Sequence, residues 1–117
     1  MRKRVLVVDD DSIVRCFLQT YLEECGYAVE TAANGREALR KLEQAGYDVV
    51  VTDYSMPEVN GLALLHHIRQ HHPSVPAVMI TGEKSSLLVA QALAAGARAC
   101  LFKPFAPQEL EQVLQCP

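Results

Sequence analysis

Acidic residues, a threonine and a lysine each follow a short apolar run in this 117-residue chain. They are Asp9, Asp10 and Asp11 after residues 5–8, Asp53 after 49–52, Thr81 after 77–80, and Lys103 after 99–102. Such β-branched runs are typical of buried parallel strands, and functional groups collect at the carboxyl ends of those strands. Two carboxylates about 4 Å apart repel by roughly 4 kcal/mol at an effective dielectric constant near 20. We therefore expect a cation-binding site at one edge of a sheet.

Strand and helix patterns alternate along the chain and predict five βα units, with the second strand at residues 27–32 and the third at 48–52. Right-handed crossovers then favour an α/β fold, a doubly wound parallel five-stranded sheet with helices on both faces. In the flavodoxin-like strand order 2-1-3-4-5, the ends of the first and third strands lie side by side. Asp9, Asp10 and Asp53 are expected to converge there.

Two of the predicted helices carry more specific expectations. In the first helix the apolar positions fall on one face, which is typical of a helix packed on a core. These positions are Ile13, Phe17, Leu18, Tyr21 and Leu22. The fourth helix, residues 85–95, is more apolar than packing on one face requires, so we expect part of it to form a partner surface.

Length and composition indicate one domain covering residues 1–117. The net charge of −3 gives no reason to expect direct contact with nucleic acid. No apolar stretch approaches the ~20 residues of a membrane span, and no signal peptide is visible, so no membrane contact is expected. The four cysteines lack metal-ligand spacing, and we interpret them as reduced thiols of a cytoplasmic protein.

The residues at the strand ends resemble a known family over nearly the whole chain. The matching pieces are Val8-Asp9-Asp10, Asp53 with Met56-Pro57 and Gly61, Thr81-Gly82, and Lys103-Pro104-Phe105. In this order and at these separations they are similar to the receiver domains of bacterial response regulators, the chemotaxis-regulator-like modules of two-component signalling. The resemblance implies a phosphorelay module that takes a phosphoryl group from a sensor histidine kinase or a histidine phosphotransfer protein. It implies signalling chemistry on the chain itself, limited to self-phosphorylation and autodephosphorylation, and no separate enzyme activity.

The resemblance also implies a role for each matching residue. Asp53 corresponds to the phosphoacceptor, and Thr81 and Lys103 to the groups that bind the phosphoryl oxygens afterwards. Asp10 and Asp53 correspond to direct Mg²⁺ ligands, together with the backbone carbonyl of Ser55, while Asp9 reaches the metal through water. These roles agree with the preference of Mg²⁺ for a few carboxylates and retained waters. Lys103-Pro104 matches a cis-peptide junction of the family.

Other residues have simpler interpretations. Asp11 is best explained as a helix cap, although it could line the entrance to the site. His67 and His71 stand four residues apart in the third helix, but no carboxylate or cysteine is suitably spaced to complete a metal site. We therefore interpret the four histidines as a solvated helix face.

The chain departs from the family pattern at Cys100, where an aromatic residue commonly swings inward upon activation. We therefore expect the response to travel through the loop after Thr81 and the fourth helix. A surface of helix 4, strand 5 and helix 5 would then serve a homodimer or an output partner. Serine at position 55, in place of a second aspartate, disfavours a phosphatase with an aspartyl-phosphate intermediate.

Two further functions compete with the phosphoacceptor. A pseudo-receiver, which binds partners without phosphorylation, is disfavoured because the acidic residues, Thr81 and Lys103 are all present. A flavodoxin-type nucleotide binder is disfavoured because no glycine-rich phosphate loop follows the first strand.

Overall fold

The computed structural model describes residues 2–115 of the chain. Its five strands form one parallel sheet in the order β2-β1-β3-β4-β5. The strands are β1 (Arg4–Val8), β2 (Ala28–Ala32), β3 (Val49–Asp53), β4 (Ala77–Thr81) and β5 (Ala97–Phe102). The helices are α1 (Ser12–Glu24), α2 (Gly35–Gln44), α3 (Gly61–His71), α4 (Ser86–Ala94) and α5 (Pro107–Gln115). The predicted (βα)₅ architecture and strand order are confirmed, with bounds that differ by a residue or so.

Polar side chains fix where the helices begin. Asp11, Asn34, Asn60 and Ser85 each accept a hydrogen bond from a backbone N–H in the first turn of the helix that follows. These bonds satisfy donors that have no partner within the helix. The interpretation of Asp11 as a cap is confirmed, since its side chain accepts from Ile13 N at 2.9 Å.

The hydrophobic core consists of two clusters, one on each face of the sheet. One face is covered by α2, α3 and α4, and the other by α1 and α5. Every residue of β3 and β4 is buried, whereas in β5 only Ala97 is buried and the other five are partly exposed. None of the helices within residues 2–115 is both long and apolar enough to cross a membrane.

The prediction for α1 was partly wrong. Leu18 and Leu22 are buried, but Ile13 is 78% and Phe17 55% exposed. The stripe that faces the sheet is completed by Val14 instead of these two. The five predicted positions span a wider arc than one packed face, so two large apolar side chains remain at the surface beside it.

Candidate functional site

The ends of β1 and β3 bring together the acidic cluster, which consists of Asp9, Asp10 and Asp53. Val8 is paired with Thr52, so the residues that follow each of them lie level with one another. One carboxylate oxygen from each member lies within 4.8 Å of the others. Asp9 is only 2% and Asp53 5% exposed, while Asp10 is exposed. The predicted convergence of these three side chains is therefore present in the structure.

Lys103 is the cation that faces this cluster. Its Nζ lies 3.2 Å from Asp53 Oδ1 and 3.4 Å from Asp9 Oδ2. Burial alone would lower the pKa of Lys103, but the two carboxylates outweigh it and raise that pKa above its usual value. The backbone N–H of Lys103 also donates to the carbonyl of Thr81 at 2.8 Å, which ties the end of β5 to the end of β4. The Lys103-Pro104 peptide bond is cis, as the resemblance implied.

The pKa of the Asp53 carboxyl group is raised above its usual value in this cluster. Burial is the main cause that raises the pKa of its carboxyl group, and the charges of Asp9 and Asp10 raise it further. The ammonium of Lys103 acts in the opposite direction but does not cancel these effects. The ionised carboxylate is thus less stable here than in water, because it has lost hydration and gained like-charged neighbours. A divalent cation bound between the carboxylates would offset this repulsion.

Hydrogen bonds hold Asp9 in place from both sides. Its Oδ1 accepts from Asp11 N at 2.9 Å, and its backbone carbonyl accepts from Arg15 Nη1 at 2.7 Å. Arg15 was not singled out from the sequence, because a lone arginine in the first turns of a helix has no distinguishing pattern. Arg15 lies in α1, and its guanidinium holds the backbone of Asp9 in place.

The predicted site residues Thr81 and Ser55 differ in their exposure to solvent. Thr81 ends β4 and is buried, and its Oγ1 accepts from Glu83 N at 3.0 Å. Ser55 lies in the loop after β3 with an exposed side chain, as does Glu83 in the loop after β4. Thr81 is therefore the last residue of β4 and Lys103 directly follows β5, whereas Ser55 and Glu83 lie on the loops after β3 and β4.

Gly61 sets how closely α3 approaches the acidic cluster. A Cβ atom at this position would lie 2.6 Å from the carbonyl oxygen of Asp53 and 2.8 Å from Tyr54 Cα. Its N–H donates to the carbonyl of Tyr54 at 2.9 Å. Only a residue without a side chain lets the start of α3 rest directly on the backbone that carries Asp53.

The acidic cluster fits a hard divalent cation better than any other ligand class. Its donors are carboxylate oxygens, and three carboxylates against one ammonium leave a local charge of −2. Mg²⁺ prefers oxygen ligands and is often held by one or two carboxylates with several waters retained. The donor set and its charge are thus matched to Mg²⁺.

A second group of metal-capable side chains corrects the interpretation of the histidine segment. Glu43, His67 and His72 each place a ligand atom within 4.8 Å of the others. The expectation that no carboxylate could complete such a site was wrong, because Glu43 comes from α2 and its proximity arises only through tertiary packing. His66 and His71 are exposed, as expected of a solvated face, but His67 and His72 are partly buried.

A parallel sheet in this order, with an acidic cluster and a lysine at its switch point, defines the receiver class of signalling domains. The family model for the response regulator receiver domain matches residues 5–115. The chain belongs to that family, and the resemblance found in the sequence is confirmed. Receiver domains are phosphoacceptor modules of two-component signalling and typically bind Mg²⁺ at an acidic pocket.

Individual relatives agree with this assignment. The chain is 35% identical over 115 residues to chemotaxis protein CheY of Thermotoga maritima, covering 97% of this chain and 96% of that protein. It is 36% identical to the alkaline phosphatase synthesis transcriptional regulatory protein PhoP of Bacillus subtilis, covering 94% of this chain but only 46% of PhoP. The structure of CheY4 of Vibrio cholerae superposes with a TM-score of 0.92 at 38% identity, covering 98% of both chains. The chain thus spans nearly all of some relatives and about half of others.

Proposed function

We propose that this receiver domain accepts a phosphoryl group on Asp53 from the phosphohistidine of a sensor kinase or a histidine phosphotransfer protein. The observation that carries the proposal is the position of Asp53. Its carboxylate is buried at the switch point, lies beside two other carboxylates, and is 3.2 Å from Lys103 Nζ. We also propose that residues 1–117 form one receiver domain and that it works in the cytoplasm.

The transfer step needs little covalent chemistry from the protein. A carboxylate oxygen of Asp53 supplies the electron pair for a new O–P bond while the N–P bond of the donor breaks. The departing imidazole nitrogen keeps the electron pair of the broken bond. Catalysis of such a transfer is mostly positioning and charge neutralisation, which a buried carboxylate beside a fixed ammonium favours.

Asp10 and Asp53 would hold Mg²⁺ directly, with the backbone carbonyl of Ser55, while Asp9 would act through a bound water. This assignment is supported by the proximity of the three carboxylates and by their burial on one side only, since Asp10 faces solvent. Bound Mg²⁺ would offset the negative charge on the oxygens of the transferring phosphoryl group.

After transfer, Thr81 and Lys103 bind the phosphoryl oxygens. Thr81 Oγ1 already accepts the N–H of Glu83, so its own hydrogen remains available for a new acceptor. Lys103 can exchange one oxygen of Asp53 for an oxygen of the phosphoryl group with little movement. Because its N–H bonds Thr81, the two residues would respond together.

The stored phosphoryl group is expected to be lost by hydrolysis on the protein itself. Ser55 and Glu83 flank the acidic cluster from two exposed loops, where water can enter. Replacing serine with the larger amide of asparagine, or removing the carboxylate of Glu83, should change the rate of decay without changing the modified residue. Parent-like decay in both Ser55→Asn and Glu83→Ala would show that these loops do not control the lifetime.

Phosphorylation would be communicated to a partner through the α4–β5–α5 face, which is the surface formed by these three elements. On α4, Leu87 is 67% and Leu93 50% exposed, which is unusual for large apolar side chains without a partner. This face would serve a second copy of the chain or an output partner. Sedimentation of the acetyl phosphate-treated protein should show self-association that Leu87→Glu weakens if the partner is a second copy.

Labelling with acetyl phosphate and Mg²⁺ tests the central proposal. Intact-mass measurement should show one acid-labile phosphoryl group on the parent and none on Asp53→Asn. Asp11→Asn is the matched control, because asparagine keeps the helix cap while removing a neighbouring carboxylate. It should be labelled like the parent. Labelling of Asp53→Asn would exclude Asp53 as the acceptor, and an unlabelled parent would favour a pseudo-receiver.

A further inference from the structure

The second donor group lies where α2 and α3 pack together, away from the acidic cluster. Glu43 is in the last turn of α2, His67 is in the second half of α3, and His72 caps the end of α3. In a βα unit each helix runs back against its strand, so the ends of helices lie at the edge where strands begin. This group therefore stands at the edge of the sheet opposite Asp53.

The two imidazoles of this group carry buried nitrogens with unmet hydrogen-bonding capacity. His67 Nε2 and His72 Nε2 are shielded from solvent and have no hydrogen-bond partner among residues 2–115. Buried polar atoms are ordinarily paired, and leaving one unpaired costs about 1–3 kcal/mol. The two rings are neighbours, with centroids 6.0 Å apart, so one ligand between them could satisfy a nitrogen of each.

Glu43 supplies the anionic member of this group. One of its carboxylate oxygens lies within 4.8 Å of a ring nitrogen of His67 and of a ring nitrogen of His72. Glu43 is exposed, whereas the two histidines are partly buried. A carboxylate beside two imidazoles would offset part of the charge of a divalent cation.

We propose that Glu43, His67 and His72 form a binding site for a divalent first-row transition metal, with Zn²⁺ as its representative. Two imidazoles and one carboxylate are a common zinc donor set that leaves a fourth position for water. A tetrahedral ion with ligands at about 2.0–2.2 Å needs donor atoms roughly 3.4 Å apart. The donor atoms lie within 4.8 Å of one another, so small side-chain rotations of Glu43 and of the two histidines would be needed to reach this spacing.

The two sites of the domain would then select different ions. The acidic cluster offers only oxygen and suits Mg²⁺, whereas imidazole nitrogen suits zinc and related metals. A metal bound at Glu43, His67 and His72 would link α2 to the end of α3. Because the site needs both helices in place, binding should stabilise the folded chain.

Calorimetric titration with ZnCl₂ tests this inference, using the reduced full chain in excess Mg²⁺ so that the acidic cluster is filled. We expect one Zn²⁺ per chain, with affinity at least tenfold weaker in Glu43→Gln and in His72→Gln. Glu43 is exposed, so its variant should fold normally. His66→Gln is the matched control, since it removes an exposed histidine of α3 outside this group, and it should bind Zn²⁺ like the parent.

A second readout separates imidazole ligation from binding by the cysteines. Co²⁺ in place of Zn²⁺ should give ligand-field bands in the visible spectrum without thiolate charge-transfer absorption. Zn²⁺ should also raise the melting temperature of the parent and of His66→Gln but not of His72→Gln. The inference is overturned if the parent binds no Zn²⁺, if Glu43→Gln and His72→Gln bind as tightly as the parent, or if thiolate absorption dominates.

Discussion

The acidic edge, which is the edge of the sheet that carries the acidic cluster, and the α4–β5–α5 face differ in how completely their strands are buried. Asp53 and Thr81 end β3 and β4, in which every residue is buried. The strand of the other region, β5, is partly exposed along five of its six residues, and α4, which packs against it, carries the exposed Leu87 and Leu93. Asp53 and Thr81 thus stand on fully buried central strands, whereas the α4–β5–α5 face includes a partly exposed edge strand. Lys103 connects the two regions, because it directly follows β5 and its Nζ lies 3.2 Å from Asp53 Oδ1.

Removing Asp10 should have the largest effect on the acidic edge. Asp10→Ala is expected to abolish Mg²⁺-dependent phosphorylation while leaving the melting temperature equal or higher in the absence of metal. The physical reason is that the side chain supplies a metal ligand but also raises the cost of ionising Asp53. Mg²⁺ should raise the melting temperature of the parent and not of this variant. Unchanged Mg²⁺ affinity in Asp10→Ala would count against its role as a ligand.

Gly61 tests whether the rigidity of the acidic edge depends on close packing. Gly61→Ala forces a Cβ against the Asp53 backbone, and we expect a loss of about 1–3 kcal/mol in the free energy of unfolding, with slower phosphorylation. Gly46→Ala is the control, since a Cβ there meets nothing within 4 Å. Urea unfolding of both variants measures the difference. Equal stability of the two would show that the approach of α3 is not tight.

Several features of both regions were predictable from the sequence, and the features that were not predicted have one cause in common. Strand ends with Asp53, Thr81 and Lys103 were predictable, because apolar runs and turn residues are local patterns and parallel strands align their carboxyl ends. Proximity between helices has no such local pattern. Glu43 was therefore missed as a neighbour of His67, and the exposure of Ile13 and Phe17 could not be separated from burial.

The same limit applied to Arg15 and Gly61. Each acts through a contact with the backbone of an acidic residue, which only the packed structure reveals. In contrast, the half-exposed α4 was predictable, because nine residues with so little polar character exceed what one buried face needs. The structure separates buried Leu88 from exposed Leu87 within that helix.

Changing Lys103, which connects the two regions, should have a smaller but more specific effect. Lys103→Ala should still permit some phosphorylation but should lose the amide NMR shift changes in α4 and β5, because the ammonium joins the phosphoryl group to β5. Cys100→Ala should keep most of these changes, because the half-buried thiol is small and displaces little volume when it changes rotamer. If Cys100→Ala lost the response while Lys103→Ala retained it, a side-chain switch within β5 would be the better explanation.

The most direct test of the central claim is to locate the modified residue chemically. Borohydride converts an aspartyl phosphate to homoserine, so protein treated with acetyl phosphate and Mg²⁺ can be reduced, digested and sequenced by tandem mass spectrometry. We expect homoserine at position 53 alone, with Asp9 and Asp10 unchanged. Homoserine at position 9 or 10, or at no position in a labelled protein, would contradict the assignment of Asp53 as the phosphoacceptor.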